Sequence, residues 1–161
     1  MNGFTLIEVV VTVGIISILS LMGINTIVEF QKRSILSNSG QEFISSLKIA
    51  KSKSLAGELL PGETDETFES DGLPRYGVKV LNNSYTLFRE YKLKGDLTIQ
   101  RQDLETFNVD LTLTLTPNSE VLFNRQTGFA SSAVFSLMRV NGTSGKEVNI
   151  NSQGLIAIKD I

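Results

Sequence analysis

The chain contains no histidine and no cysteine. Without cysteine there is no disulfide framework and no thiolate metal site, and the redox compartment stays open. Without histidine the commonest general base and the commonest transition-metal ligand are missing. Ser–His–Asp, Cys–His and zinc-hydrolase chemistry are thereby excluded in their usual forms. Excess charge of either sign is also lacking: 15 Lys and Arg stand against 17 Asp and Glu, a net charge of −2. The basic residues are scattered, so no field for nucleic acid and no patch for a membrane surface is evident.

What the chain does have is a long apolar start. From Phe4 to Val28 it is apolar apart from Ser, Thr, Gly and Asn, with one exception, Glu8. A carboxylate at the centre of a membrane helix costs about 2.5–3.5 kcal/mol on insertion scales, so a lone acid here needs a purpose. Val9 to Val28 is free of formal charge and long enough to cross a hydrocarbon core of about 30 Å. A cleavable secretory signal has an apolar region of only about 7–15 residues. The run is longer than that and no A-x-A-like site follows it, so it reads as a retained transmembrane helix.

The helical pattern continues past Glu29, Lys32 and Arg33. Leu36, Phe43, Ile44, Leu47 and Ala50 recur at spacings that mark one face of an amphipathic helix, and Gly57 with Pro61-Gly62 supplies the stop. Ser37-Asn38-Ser39-Gly40 is a weak point of poor propensity. A continuous helix from Phe4 to about Leu60 spans on the order of 80 Å, too long to pack wholly on its own small domain, so half of it is expected to project. The acidic stretch Glu63 to Arg75 misses the EF-hand pattern, with Thr67 and Glu69 where Asp or Asn is required, and reads as a solvated loop.

After Tyr76 the period changes to 2. "YGVKVL" and "YTLFREY" flank Asn82-Asn83-Ser84 as a hairpin. "LTIQRQ" follows Lys94-Gly95-Asp96. "VDLTLTLT" alternates, with Val109, Leu111, Leu113 and Leu115 on one face, and reads as one half-exposed strand. "EVLF", "AVFSLMRV", "KEVNIN" and "LIAIKDI" complete the strands, with a second hairpin over Asn141 to Gly145. A helix followed only by strands gives an α+β chain, the C-terminal half of the helix covering an antiparallel sheet.

The segment "GFTLIEVVVTVGIISIL" resembles the class III signal of type IV pilins and type II secretion pseudopilins: a Gly, then Phe-Thr-Leu-Ile-Glu, then about 20 apolar residues. The resemblance implies that a prepilin peptidase cuts between Gly3 and Phe4 and methylates the new Phe4 amine, and that Glu8 is the glutamate used in assembly. It further implies a leader over 1–3, a transmembrane and filament-core helix over 4–28, its amphipathic continuation over 29–60 and a β-rich pilin domain over 61–161. Implied partners are the peptidase, other pilins in a filament, the inner-membrane assembly platform, and membrane lipid before assembly. The implied location is the bacterial cytoplasmic membrane, crossed once, and then an extracytoplasmic pilus or pseudopilus. No cofactor or metal is implied.

"YGVKV", "YTLFREY", "VLFNRQTG" and "KEVNINSQGLIAI" resemble the globular domain of the minor pseudopilin H and FimT-like group, with Phe123 to Gly128 and Asn151 to Gly154 at its turns. Three features depart from the family pattern. "MNG" has no Lys or Arg, whereas family leaders are usually basic, and Lys32 and Arg33 follow the apolar run against the positive-inside rule, so further leader residues are expected upstream. Asn25 stands where many major pilins have a kinking proline. DNA-binding members carry a basic motif after the last Gly, whereas "GLIAIKDI" offers only Lys159.

Three functions compete on this sequence. A structural filament subunit accounts for the helix length, Glu8 and the small β-rich domain together. The alternative, a DNA-binding minor pilin of a competence pilus, requires clustered phosphate-neutralising cations, and Arg125, Arg139, Lys146 and Lys159 are scattered. An enzyme would need paired carboxylates or a Ser-x-x-Lys pair in a confirming context; "SSLK" at Ser45–Lys48 lies on the helix as polar surface.

Overall fold

A computed structural model describes residues 5–140, 142 and 144–161, of which 21–25 are described by their backbone alone. One helix, α1, runs over Leu6–Ala56, and the chain divides into two compact units, Met1–Ile35 and Leu36–Ile161. The fold is α+β. Among the described residues of the second unit, eight strands follow α1: β1 Arg75–Leu81, β2 Ser84–Tyr91, β3 Gln100–Asn108, β4 Leu113–Thr116, β5 Glu120–Leu122, β6 Ala133–Arg139, β7 Gly145–Ile150 and β8 Ile156–Asp160.

These strands form two antiparallel sheets, where the sequence pattern suggested one. The first has the order β3-β2-β1-β5 and the second β4-β6-β7-β8. The expected stripe of α1 is buried: Leu36, Phe43, Ile44, Leu47 and Ala50 all leave solvent, Leu47 and Ala50 completely. Phe43 meets both sheets, its ring edge-on to Tyr85 of β2 at 5.1 Å and to Phe135 of β6 at 5.3 Å. Burial of each such large side chain contributes about 1.5–3 kcal/mol.

The weak stretch Ser37–Gly40 stays helical because packing overrides propensity. A side chain at Gly40 would meet Lys146 Cδ at 2.8 Å, so its absence lets β7 approach the helix. The helix ends at Ala56, earlier than Leu60, where Gly57 turns left-handed at φ +61°. Two polar contacts then pin the last turns to the strands. Buried Ser54 accepts the Tyr76 N–H at 3.2 Å and donates to the Phe123 carbonyl at 2.6 Å. Lys51 donates to the Gly154 carbonyl at 2.8 Å.

Asn82 and Asn83 have φ of 50° and 59°, so the first hairpin turns on two residues and Ser84 already belongs to β2. Asn83 also joins the sheets. Its amide donates to the Leu113 carbonyl at 2.9 Å and accepts the Leu115 N–H at 2.7 Å, taking the place of a strand beside β4.

Two strand assignments need correction, for one reason. "VDLTLTLT" is not a single strand: Asp110 accepts from both the N–H and the hydroxyl of Thr112, at 2.8 and 2.6 Å, and this local turn ends the run from β3. β4 begins only at Leu113, in the other sheet, and Leu111 is 92 % exposed rather than facing the core. Asp96 holds the N–H and hydroxyl of Thr98 in the same way, so β3 starts at Gln100 and not at Leu97, and it runs on to Asn108.

The acidic stretch is more than a solvated loop. Glu63 receives both prongs of the Arg89 guanidinium at 2.8 Å, and Arg89 is 3 % exposed. Arg89 is also held by Gln102 and lies over the Tyr91 ring at 4.5 Å. Phe68 is buried and bridges to Leu93, and Glu69 caps the Gly95 N–H at 2.9 Å.

Ser54→Ala leaves the buried Tyr76 N–H and Phe123 carbonyl without their partner, and should destabilise the chain by about 1–3 kcal/mol in urea titrations. The second prediction concerns pH. The Arg89 guanidinium beside Glu63 holds this carboxyl below the usual carboxylate range. A carboxyl lowered in the folded state stabilises above its unfolded pKa of about 4.3 and loses that contribution as pH falls through its folded value. Glu63→Gln, which strands the Arg89 charge, should therefore cost about 3–5 kcal/mol at pH 7, and the difference from the parent should shrink steadily below about pH 4.

Candidate functional site

Of the residues singled out by the sequence, Gly3 and Phe4 lie outside the described residues. Glu8 is described, and its surroundings explain part of its presence. Thr5 precedes the first helical residue, and Glu8 is the third residue of the helix. The Thr5 N–H and hydroxyl both donate to Glu8 Oε2, at 3.1 and 3.0 Å, while the Glu8 N–H donates to Thr5 Oγ1 at 3.4 Å. This reciprocal pair is a capping box, which satisfies donors that a helix start leaves open. The Thr-x-x-Glu spacing in the sequence is the signal that announces it. Glu8 Oε1 receives no hydrogen bond from the described residues.

Beyond this start, residues 6–19 present apolar side chains in every direction. From Leu6 to Leu19 every Leu, Ile and Val is at least 51 % exposed, so the described residues cover no side of this segment. The hydroxyls in the run turn back on their own helix. Thr12 donates to the Glu8 carbonyl at 2.6 Å, Ser17 to Val13 at 2.8 Å and Ser20 to Ile16 at 2.8 Å. A hydroxyl bonded to the preceding turn needs no water. Charge returns after the run, where Lys32 and Glu29 pair at 3.2 Å. Among the described residues no helix is long and apolar enough to cross a membrane. The side chains of residues 21–25, inside the Val9–Val28 run, fall outside that description.

The four cations weighed for nucleic acid lie on separate elements. Arg125 is in the turn after β5 with Asp65 at 3.7 Å, Arg139 ends β6, Lys146 on β7 pairs with Asp160 at 2.7 Å, and Lys159 on β8 stands opposite Glu147. The two turns expected near Gly128 and Gly154 do meet. A side chain at Gly154 would overlap the Gly128 carbonyl, and Lys51 lies against both glycines.

Residues 1–24 match the family model of the prokaryotic N-terminal methylation motif. No curated protein and no solved structure matches the chain.

Thr5→Val removes the hydroxyl bonds at the helix start, a loss of about 0.5–2 kcal/mol for a cap. Amide exchange of Leu6 to Val9, measured on the chain in detergent micelles, should quicken, while exchange in β1 and β2 stays unchanged.

Proposed function

We propose that this chain is a filament subunit of the type IV pilin and pseudopilin class, in the role of a minor subunit. The observation that carries the reading is the N-terminal methylation motif over residues 1–24, leading into a helix whose apolar side chains face outward on all sides. Such a surface requires lipid or other helices around it. A filament subunit uses both in turn.

In this reading residues 1–3 are the leader, 4–28 cross the membrane and later enter the filament core, 29–60 continue the helix, and 61–161 form the outer domain. A prepilin peptidase cuts after Gly3 and methylates Phe4. The uncharged run Val9 to Val28 supports a single crossing of the cytoplasmic membrane by its length, and the inward-bonded hydroxyls support it by their chemistry. The placement of "VLFNRQTG" and "KEVNINSQGLIAI" at two turns that meet supports the minor pseudopilin H and FimT-like group. The pairing of Lys146 with Asp160 speaks against a DNA receptor.

Glu8 serves two stages. In the single chain Thr5 holds Oε2 at the helix start, where an acid complements the helix dipole. In a filament the carboxylate leaves the headgroup water and needs a cation, and the methylated amine of a neighbouring Phe4 is that cation. A buried pair of this kind adds little net stability, but an unpaired buried charge costs about 3–5 kcal/mol. Glu8 thus selects the axial stagger at which the neighbouring amine meets Oε1.

The test is incorporation into sheared filaments from cells that express the peptidase, with membrane fractions as the expression control. Mass spectrometry of the parent should find a chain beginning at methylated Phe4, and Gly3→Val should block the cut. Glu8→Leu should still insert and be cut, but fail to enter filaments, with Glu8→Asp between the two. An uncut parent would overturn the subunit assignment. Normal incorporation of Glu8→Leu would overturn the pairing alone.

A further inference from the structure

The globular unit has a groove of about 590 Å³ beside the end of α1, and Ser70, Asp71, Arg75, Asn124, Arg125 and Gln126 form its polar wall. The arginines of this unit divide into two kinds. Arg89 takes both oxygens of Glu63 at 2.8 Å, and Arg101 takes both oxygens of Glu120 at 2.8 and 3.1 Å while also bonding Glu90. Those forks are occupied. Arg75 reaches one oxygen of Glu90 at 3.5 Å, and Glu90 is already held by Arg101. Arg125 has Asp65 at 3.7 Å, beyond hydrogen-bond range, and Asp65 is largely exposed. Arg75 and Arg125 both line the same groove.

Arg125 packs against the end of α1. A side chain at Gly57 would lie 2.4 Å from its Nε and Nη2, so the guanidinium rests directly on the glycine that closes α1. The negative end of the helix dipole favours a cation there. A guanidinium carries five donors in a planar fork that matches a carboxylate.

The geometry points to a binding site for the carboxylates of an acidic polypeptide segment. Two guanidinium forks in one groove provide the charge and the donors. The Gln126 amide and the Ser70 hydroxyl can meet a peptide backbone in both donor and acceptor roles, and Asn124, whose Oδ1 already accepts the Gln126 N–H at 2.9 Å, adds its Nδ2 as a donor.

The test uses the full chain in detergent micelles and an acetylated, amidated Asp-Glu-Ser-Glu-Asp peptide, followed by the Nε–Hε NMR signals of the arginines. Arg75 and Arg125 should shift on titration while Arg89 and Arg101 stay put, and the Asn-Gln-Ser-Gln-Asn peptide should shift none of them. Arg125→Lys and Arg75→Lys keep the charge but lose the fork, and each should weaken binding about tenfold. The double change Arg75→Gln with Arg125→Gln should abolish binding, with circular dichroism confirming the fold. Absence of shifts at Arg75 and Arg125, equal shifts with the uncharged peptide, or unchanged affinity in the Lys variants would each overturn the site. A thymidine oligonucleotide that shifts both signals where the acidic peptide does not would overturn it in favour of nucleic acid.

Discussion

The globular unit depends on one contact, the wedge of Phe43 between two sheets. Tyr85 belongs to one sheet and Phe135 to the other, and both pack edge-on against the same ring. Neither four-stranded sheet can dry its inner face alone, because a sheet must bury its apolar side against another layer. The stripe from Leu36 to Ala50 is the layer they share. Apolar packing sets no register along the helix, and polar contacts supply it. Ser54 fits between the Tyr76 N–H and the Phe123 carbonyl, and Lys51 reaches the Gly154 carbonyl. A shift by one turn would break both, leaving buried groups unpaired at a cost larger than the bonds themselves contribute.

Close approaches made possible by glycine organise what surrounds this wedge. On the outer face of the first sheet, Arg101 lies over Phe88 at 4.6 Å and extends from β3 to Glu120 on β5. It passes β1 near Gly77, where a side chain would meet the Val121 carbonyl and the Phe88 ring. The charge therefore serves as a lid for an aromatic ring, and the bidentate geometry makes it more than a surface ion pair. At the end of α1 the same economy of space seats Arg125 on Gly57 and brings the Gly128 and Gly154 turns together. The polar groove beside the helix end follows from that arrangement.

One helix in this chain is built for two surroundings. From Leu6 to Leu19 its apolar side chains are exposed and Thr12, Ser17 and Ser20 bond to their own helix, a surface suited to lipid or to like helices. After residue 36 the apolar residues narrow to a stripe, and Lys48 and Ser52 stay in water. Glu8 belongs to the first regime only because Thr5 ties it to the helix start, where open N–H groups and the dipole favour an acid.

Features that depend on neighbours a few residues apart can be read from the order of residues alone. The buried stripe of α1, the presence of a stop signal at Gly57, a hairpin over Asn82 to Ser84 and the separateness of Glu8 were legible, because helix period, turn chemistry and a charge in an apolar run are local properties. The helix nonetheless ends sooner than Leu60, and the turn is one residue shorter. The capping box of Thr5 with Glu8 and the two Asp-x-Thr turns that shorten β3 and β4 are equally local, and stood in the residues unread. Tertiary structure alone decided the division into two sheets, since alternation marks a strand and says nothing of which sheet it joins. It alone decided the partners of Glu63, Ser54 and Arg101, which lie 26, 69 and 19 residues away. Such pairs form only after the wedge has brought distant segments together, and no spacing within the chain encodes them.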